Sequence, residues 1–579
     1  MDDVLSRLQH LAITLDSLDF SVAIWGNRCV VSTVCVWTSA VNKCHLDRVD
    51  NLVSVLLAIG SPALAGYSLA ITRLNSRWLS RQFLYLHFSN RVNIPLAVSA
   101  LQHIPFRIDA SGSLLPSLIV LPQNDRYWKL LGVAAKRTRQ WSIPVAMNII
   151  WALVALSFTI VDSLVDFDYF LTVPGDAGYS IAALWTYLLP VVVGWLHVGS
   201  QPEADHLRNA LNEAHEVAYV ATSSEPVPAT RIPNRSTRAV DPSTRLIDYV
   251  NADEKKTAPI LNYARVFIWS QQAEYILKLY ECAAARAEKR ITVQHGGEWT
   301  SGDEDNIVAR DRIGNEEEVV QYCMHGPETN PSPSHGFWQP PTPFAPYSAL
   351  SPSTNPSSMT FGMGVADANF ADELTIPTVS FKYDQGALPE GLRAVPEKPE
   401  FATEVFQRVA VATFLALALQ WGTTGASILI HLNTPPKGIG CRVLTFILYG
   451  AAGTISFWLL LLSSILGHSA RRQSVHGGRS GLKRWIGYTA ALIRGLGKTI
   501  AIMNGLGILV SCTLQFAGVY DNCFCSSTIF GGNLNGLVSF IGPDIRGSEV
   551  YGYWIGGTVM AFSVSGLYSF AIYIATPTR

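Results

Sequence analysis

VLTFILYGAAGTISFWLLLLSSIL, residues 443–466, contains no charged side chain. At 1.5 Å of rise per residue, a helix of this length is about 36 Å long and crosses a hydrocarbon layer of about 30 Å. Six other stretches are similarly apolar: residues 52–72, 142–165, 179–198, 409–432, 499–519 and 551–575. The sequence therefore predicts an all-α membrane protein with about seven transmembrane helices.

The composition agrees with a membrane location. Hydrophobic residues make up 49% of the chain and charged residues 15%, against about 25% charged in soluble domains. The net charge of −1 gives no reason to expect nucleic acid as a partner. The partner that the composition predicts is the lipid bilayer.

A long polar insert, residues 199–403, separates a first bundle (51–198, three spans) from a second bundle (404–579, four spans). Apolar spacing within the insert predicts helices at 203–221 and 258–293. Residues 223–243 are typical of a linker, and residues 324–400 are rich in Pro, Ser, Thr and Gly, which predicts disorder. In the N-terminal region, 1–50, residues 4–18 form an amphipathic pattern and residues 21–41 an uncertain extra span that carries Arg28.

Lys and Arg are distributed unevenly among the predicted loops. Ten lie in 73–139 and seven in 471–498, whereas 166–178 has none, 433–442 has two and 521–550 has one. The positive-inside rule then places the basic loop 73–141, the insert and the C-terminus in the cytosol, at the plasma membrane or an endomembrane. The N-terminus lies outside, or inside if 21–41 also crosses. Asn234, in the only glycosylation sequon, is expected to show no glycosidase-sensitive mass shift.

The nine cysteines are scattered, and their spacing does not match a zinc site. The predicted topology places Cys44, Cys441, Cys523 and Cys525 on the outer side, where disulfides are permitted. Since the two cysteines of a C-x-C motif rarely bond to each other, we expect Cys523 and Cys525 each to pair elsewhere, with Cys44 and Cys441 as candidates. Peptide mapping under non-reducing conditions tests this pairing.

Motifs for catalysis are incomplete. Gly497-Lys498-Thr499 ends like a phosphate-binding loop but lacks its first glycine, so Lys498 is interpreted as a lysine that snorkels at the cytosolic boundary. His215 has no second histidine one turn later. His431 and Asp162 lie near the outer ends of their predicted spans, and His197 is interpreted as a polar boundary residue. No G-x-S-x-G elbow is present. The sequence predicts no enzyme activity, no metal and no cofactor.

Two P-x-x-P matches in the polar insert define candidate partner-binding residues: Pro340, Pro343 and Pro346. Such segments dock in aromatic grooves as polyproline II helices. Ser-Pro and Thr-Pro pairs in the same region are candidate phosphorylation sites. The insert is therefore the predicted site of contact with cytosolic proteins.

Two alternatives remain open. The first alternative is a transporter of neutral or lipid-like solutes, in which Gly and Pro form breaks in the helices. Three pairs could supply such breaks: Gly60 with Pro62, Gly450 with Gly453, and Gly505 with Gly507. They are also typical of close helix packing, as is the G-x-x-x-G formed by Gly552 and Gly556, and packing is the favoured interpretation. A seven-span receptor fits the span count alone, because the third span has no D-R-Y-like triplet.

Three short stretches carry a resemblance: SPALAGYSL at 61–69, NYARVF at 262–267, and CFC at 523–525 together with WIGG at 554–557. They resemble a group of uncharacterised multi-span membrane proteins of filamentous fungi. The resemblance implies a fungal membrane protein and supplies no activity. The leading hypothesis is a non-enzymatic multi-pass membrane protein whose cytosolic insert binds partners.

Overall fold

The computed structural model describes residues 47–108, 113–136, 175–198, 204–231, 238–242, 253–256, 259–300, 308–324, 399–434, 438–475, 480–516, 519–521 and 547–575. The predicted extra span at 21–41, the second predicted span at 142–165 and nearly all of the predicted disordered segment lie outside these residues. The described part is mostly helical. Its helices are α1 Asp47–Gly60, α2 Pro62–Leu84, α3 Asn93–Leu101, α4 Leu114–Val120, α5 Asp125–Lys136, α6 Gly175–Trp185, α7 Leu188–Val198, α8 Ala204–Glu216, α9 Val266–Glu288, α10 Glu316–Met324, α11 Pro399–Asn433, α12 Cys441–Val475, α13 Ser480–Phe516 and α14 Gly547–Ile574.

Four helices of the described part are long and apolar enough to cross a membrane. Their candidate spans are Thr403–Asn433 in α11, Cys441–Ala470 in α12, Trp485–Gln515 in α13 and Gly552–Ile574 in α14. Three of them agree with the predicted stretches to within about six residues at each end. The stretch predicted at 499–519 was placed too late, because α13 begins at Ser480 and includes charged residues that are paired within the fold.

The long helices bury several polar side chains among apolar ones and expose large apolar side chains, as expected for a bundle in lipid. The buried side chains of α11 include Gln420, Thr423 and Ser427. Large apolar side chains face outward, with Phe414 and Leu492 each 71% exposed. A soluble bundle would reverse this arrangement, so the four helices indicate a membrane protein.

The first predicted span is broken. A bend of 103° separates α1 from α2 at Ser61, where the sequence Gly60-Ser61-Pro62 places a proline at the first helical position. Proline is favoured there because its missing N–H would have no partner in any case. The helix break of which Gly60 with Pro62 is typical is therefore present, and it is sharp enough to end one helix and start another.

The two halves of the broken helix pass the other helices in one direction. α1 contacts α13 near Gly505 and then Ala501. α2 contacts α11 near Gln420 and finally Glu404, through the Trp78 indole. The contacts of α1 and then of α2 therefore move toward the same end of the long helices. A re-entrant loop would turn back to the end from which it entered, so this order favours a broken span.

The third predicted span, 179–198, is also interrupted. α6 ends at Trp185 and α7 begins at Leu188, and the apolar part of the pair is only Ser180–Trp195. The described residues therefore contain four candidate spans, or five if the pair α1–α2 is one span. The predicted count of seven stays a prediction.

A helical domain lies at one end of the long helices. Its core joins the last two turns of α2 with α3, α4 and α5, and with α8, α9 and α10 of the polar insert. Trp128 and Trp269 are fully buried in this core. Residues 73–141 were predicted as a basic loop and the insert as a separate region. Across the described residues they form one domain, because each half alone presents an apolar face that only the other half covers.

Short elements replace two of the predicted ones. The helix predicted at 203–221 ends at Glu216, and Tyr219–Val220 pairs antiparallel with Val227–Pro228. Val240–Asp241, in the predicted linker, pairs with Arg107–Ile108. The helix predicted at 258–293 is a 3-10 turn, Pro259–Ala264, followed by α9. Two-residue strands have no side-chain period that a sequence pattern could reveal.

Candidate functional site

Three helices meet at their closest approach where the first span breaks. A Cβ added to Gly60 would lie 1.7 Å from the carbonyl oxygen of Ala501, and one added to Gly505 would lie 2.9 Å from the carbonyl oxygen of Leu56. A Cβ on Gly453 would lie 3.2 Å from the carbonyl oxygen of Gly60. Only glycine permits this contact between backbones. The sequence predicted close packing for these glycines, and the structure shows it.

The helix break frees carbonyl groups that lipid cannot satisfy. Side chains from other helices donate to them. The Tyr187 hydroxyl donates to Ala58 O at 3.3 Å, the Tyr449 hydroxyl donates to Ile59 O at 2.6 Å, and the Asn504 amide donates to Gly60 O at 2.7 Å. Side chains of the protein therefore occupy the hydrogen-bonding positions at these three carbonyl groups that a bound solute would need.

Gln420 of α11 forms hydrogen bonds on the α2 side of the helix break. Its side-chain oxygen accepts from Ala63 N at 2.9 Å, which satisfies one of the free N–H groups at the start of α2. Its amide nitrogen donates to Gly450 O and to Thr454 Oγ1, each at 2.8 Å. Ser61 does not cap α2 but donates to Gly453 O at 3.0 Å. Gln420 thus connects α11 by hydrogen bonds to both α2 and α12.

A buried charged cluster joins the helical domain to the long helices. Asp253, at the start of the segment that leads into α9, is 1% exposed. Its carboxylate forms an ion pair with Lys498 and lies 3.9 Å from the Arg494 guanidinium, both on α13. The Tyr263 hydroxyl donates to the same carboxylate at 2.6 Å. We call Asp253, Tyr263, Arg494 and Lys498 the junction cluster.

Tyr263 is protonated and can donate a hydrogen bond to Asp253. Burial and the neighbouring Asp253 carboxylate raise the pKa of the Tyr263 hydroxyl well above its usual range. The hydroxyl is therefore a neutral donor at any physiological pH. Tyr263 also contacts α12, because its carbonyl oxygen accepts from Ser464 Oγ at 2.9 Å. A single residue of the insert is thus bonded to two of the long helices through the junction cluster and Ser464.

A second group of buried polar residues lies beside the junction cluster. Arg265 Nε donates to Gln102 O at 3.2 Å, and the Asn262 amide donates to Thr72 Oγ1 at 3.0 Å. Burial, Arg265 and Arg73 lower the pKa of His103 to about 3, so this imidazole is neutral at physiological pH. Arg265 stays a cation, although burial lowers its pKa to about 10.

The interpretation of Lys498 as a boundary lysine is wrong in its detail. Its ammonium group is paired with Asp253 rather than directed to solvent at a helix end, and Lys498 is the middle residue of α13. The negative charge that stabilises it comes from a residue 245 positions earlier. A sequence pattern cannot show a partner at that separation.

The opposite ends of the long helices carry a smaller polar group. His431 stacks on Phe446 with ring centroids 5.1 Å apart, and its Nε2 lies 3.0 Å from the Gln515 amide nitrogen. The Trp554 indole donates to Thr434 Oγ1 at 2.9 Å. Within the described residues no three His, Cys, Asp or Glu side chains are placed to hold a metal ion.

Cys441, at the start of α12, is in a disulfide. Of the other described cysteines, Cys282, Cys323 and Cys512 are free. Cys44, Cys523 and Cys525 lie outside the described residues, so the pairing of Cys441 with one of them stays a prediction. Pro340, Pro343 and Pro346 lie outside them as well.

The glycine pair Gly552 and Gly556 does not pack as predicted. An added Cβ at either position would meet nothing within 4 Å, whereas one at Gly557 would lie 2.6 Å from the Ile430 side chain. The residue that approaches α11 is thus one position later than the G-x-x-x-G pattern indicates. The helix presents its buried face through Trp554 and Ala561, which lie on the same side as Gly557.

Comparisons with protein families, curated proteins and solved structures find no match for this chain. The resemblance to fungal multi-span proteins therefore stays a prediction. The features of this chain that bear on function are the junction cluster and the helical domain that it connects to the long helices.

Proposed function

We propose that this chain is a multi-pass integral membrane protein without catalytic activity whose helical domain lies in the cytosol and binds a protein partner. The proposal includes the proline-rich segment with Pro340, Pro343 and Pro346 as a second contact region. Four apolar helices, a folded domain at one end of them and a buried junction between the two support it.

The junction cluster carries this proposal. A domain that only followed the spans on a flexible linker would need no buried contact with them. Here the Asp253 carboxylate is desolvated against two cations of α13, an arrangement that costs desolvation energy and fixes a single geometry. The domain and the spans therefore move as one body, and a partner that binds the domain is held at the membrane in a defined orientation.

Charge supports the cytosolic assignment. Arg73–Arg139, the polar insert and the start of α13 hold most of the basic residues, and their described parts meet at the same end of the long helices. The positive-inside rule assigns such an end to the cytosol. The disulfide at Cys441 is at the other end of α12, which agrees with an oxidising compartment there.

Transport of a neutral or lipid-like solute is the second candidate, and the broken span favours it. Discontinuous helices form substrate sites in several transporter folds. Against it, the backbone groups that the break frees are bonded to Tyr187, Tyr449, Asn504 and Gln420. A seven-span receptor stays a further prediction, because it needs a span count beyond the described helices.

Quantitative co-purification from solubilised membranes tests the proposal. The full chain is compared with a variant that lacks residues 325–398 and with one that carries Arg126→Ala and Lys129→Ala in the helical domain. We expect both variants to reach the membrane at the level of the full chain and at least one of them to lose a co-purifying protein. If both retain every co-purifying protein, or if purified protein in vesicles carries neutral solutes, the proposal is wrong.

A further inference from the structure

A groove on the helical domain is lined by basic and apolar side chains. It has a volume of about 760 Å³ and lies between α5 and the segment that leads into α3. Arg91, Arg126 and Lys129 provide its cations, and Val92, Leu130 and Val133 provide apolar walls. We call it the basic groove.

One face of α5 forms a wall of this groove. Arg126, Lys129, Leu130 and Val133 are three to four residues apart, which places them on the same side of a helix. The opposite side of α5 is buried in the domain core through Tyr127 and Trp128. The exposed face is therefore fixed in position, and 60% of the Val133 side chain is exposed there.

The groove keeps a positive charge because its one lining carboxylate is already bonded. Asp125 accepts from Arg312 Nη1 at 2.8 Å and Nη2 at 2.7 Å, from the Asn90 amide at 2.7 Å and from Ser89 Oγ at 3.0 Å. Arg126 and Lys129 form no ion pair with a described residue. α3 and α5 both begin at the groove, so the positive ends of their dipoles add to its potential.

The groove lies away from the long helices. Arg77 Nη1 donates to Ile574 O at the end of α14, and α2 continues to Leu84, about 10 Å farther at 1.5 Å per residue. α9 shows the same separation, because Phe267 stacks on His468 of α12 while the Tyr280 hydroxyl donates to Phe88 O at the groove. The thirteen residues between them span about 20 Å of helix.

We propose that the basic groove binds an acidic, amphipathic segment of a cytosolic protein. Carboxylates of the segment pair with Arg126 and Lys129, and its apolar side chains cover Val92 and Val133. The groove is open to solvent, which suits a peptide better than an enclosed small molecule. Recognition of acidic motifs by clusters of Arg is a recurrent mode of peptide binding. This inference rests on the proposed function and names the chemistry of the partner.

The test uses the full chain in nanodiscs of phosphatidylcholine and a fluorescent peptide of three Glu-Glu-Leu-Leu repeats. We expect the double variant Arg126→Ala and Lys129→Ala to bind it about tenfold more weakly, since two charge pairs are lost. The matched control is Arg81→Ala with Lys136→Ala, which removes the same charge from exposed residues that do not line the groove. The control is expected to bind like the unmodified chain.

Three results would overturn the inference. The groove variant binds the peptide as well as the unmodified chain does, or the control variant is weakened equally, or a peptide with serine in place of leucine binds as tightly. Loss of peptide binding when phosphatidylserine is added to the discs would assign the groove to the lipid surface instead. If the groove fails while deletion of 325–398 still removes a co-purifying protein, the proposed function stands without it.

Discussion

Replacing Gly60 by alanine is expected to prevent the long helices from packing. The new methyl group would lie 1.7 Å from Ala501 O and 2.7 Å from Ala501 C, both backbone atoms that cannot turn away. Overpacking of a core against side chains costs about 1–3 kcal/mol, and a clash with a helix backbone exceeds that range. We expect most of the Gly60→Ala protein to be aggregated or degraded, as measured by size-exclusion chromatography of a fluorescent fusion in detergent.

Two glycines of α13 provide the graded controls. Gly505→Ala places its methyl group 2.9 Å from Leu56 O and is expected to lower the melting temperature without abolishing the monodisperse peak. Gly507→Ala meets nothing within 4 Å and is expected to leave the melting temperature unchanged or slightly higher. If Gly60→Ala behaves like Gly507→Ala, the broken helix is not packed as described.

Loss of the Asp253 carboxylate is expected to have the largest effect of any charge change. Asp253→Ala removes the buried carboxylate that pairs with Lys498 and lies 3.9 Å from Arg494, and breaking a buried pair in this way costs about 3–5 kcal/mol. Lys498→Met leaves Asp253 with Tyr263 and the more distant Arg494, so its cost is expected to be smaller. The free energy of unfolding, measured in mild detergent with increasing denaturant, reports both.

The double variant separates a direct pair from two independent effects. With Asp253→Ala and Lys498→Met together, the loss is expected to be smaller than the sum by about 0.5–3 kcal/mol. Lys278→Met is the control, because Lys278 pairs with Glu274 one turn away on the same helix and is 32% exposed. Exposed pairs one turn apart contribute about 0.3–0.5 kcal/mol. Glu274 is 10% exposed, so the loss in Lys278→Met is expected to exceed that range but to stay below the loss in Asp253→Ala. Additive losses at the junction would contradict the pairing.

The sequence predicted the parts of this fold that depend on local composition. An uncharged stretch such as 443–466 is long enough to cross a membrane wherever it occurs in a chain, and the Gly60-Ser61-Pro62 triplet carries its own reason to break a helix. The prediction of close packing succeeded at Gly450 and Gly453 of α12 and at Gly505 of α13. At Gly507, Gly552 and Gly556 it was wrong, because an added Cβ there meets nothing within 4 Å and the pattern does not say which face of a helix meets a neighbour.

The site depends on contacts between residues far apart in sequence. Asp253 is one of many acidic residues in the polar insert and stands next to Glu254, and Gln420 is one of several polar residues in an apolar stretch. Their partners lie 245 and 357 positions away. A buried charge in a span requires a partner. Had the predicted span started earlier, Lys498 and Arg494 would have lain within it and indicated a buried acidic partner. It was missed because α13 was predicted to begin at residue 499.

We propose that the helical domain lies on the cytosolic side of a membrane that the long helices cross. The most direct test is labelling of introduced cysteines with a membrane-impermeant maleimide in sealed microsomes, whose outer surface is cytosolic. Val133→Cys, on the domain, and Val519→Cys, past the end of α13, replace exposed side chains. We predict that Val133→Cys adds a label without detergent and that Val519→Cys adds one only after detergent. Equal labelling of both in sealed microsomes, or the reverse order, would contradict the account.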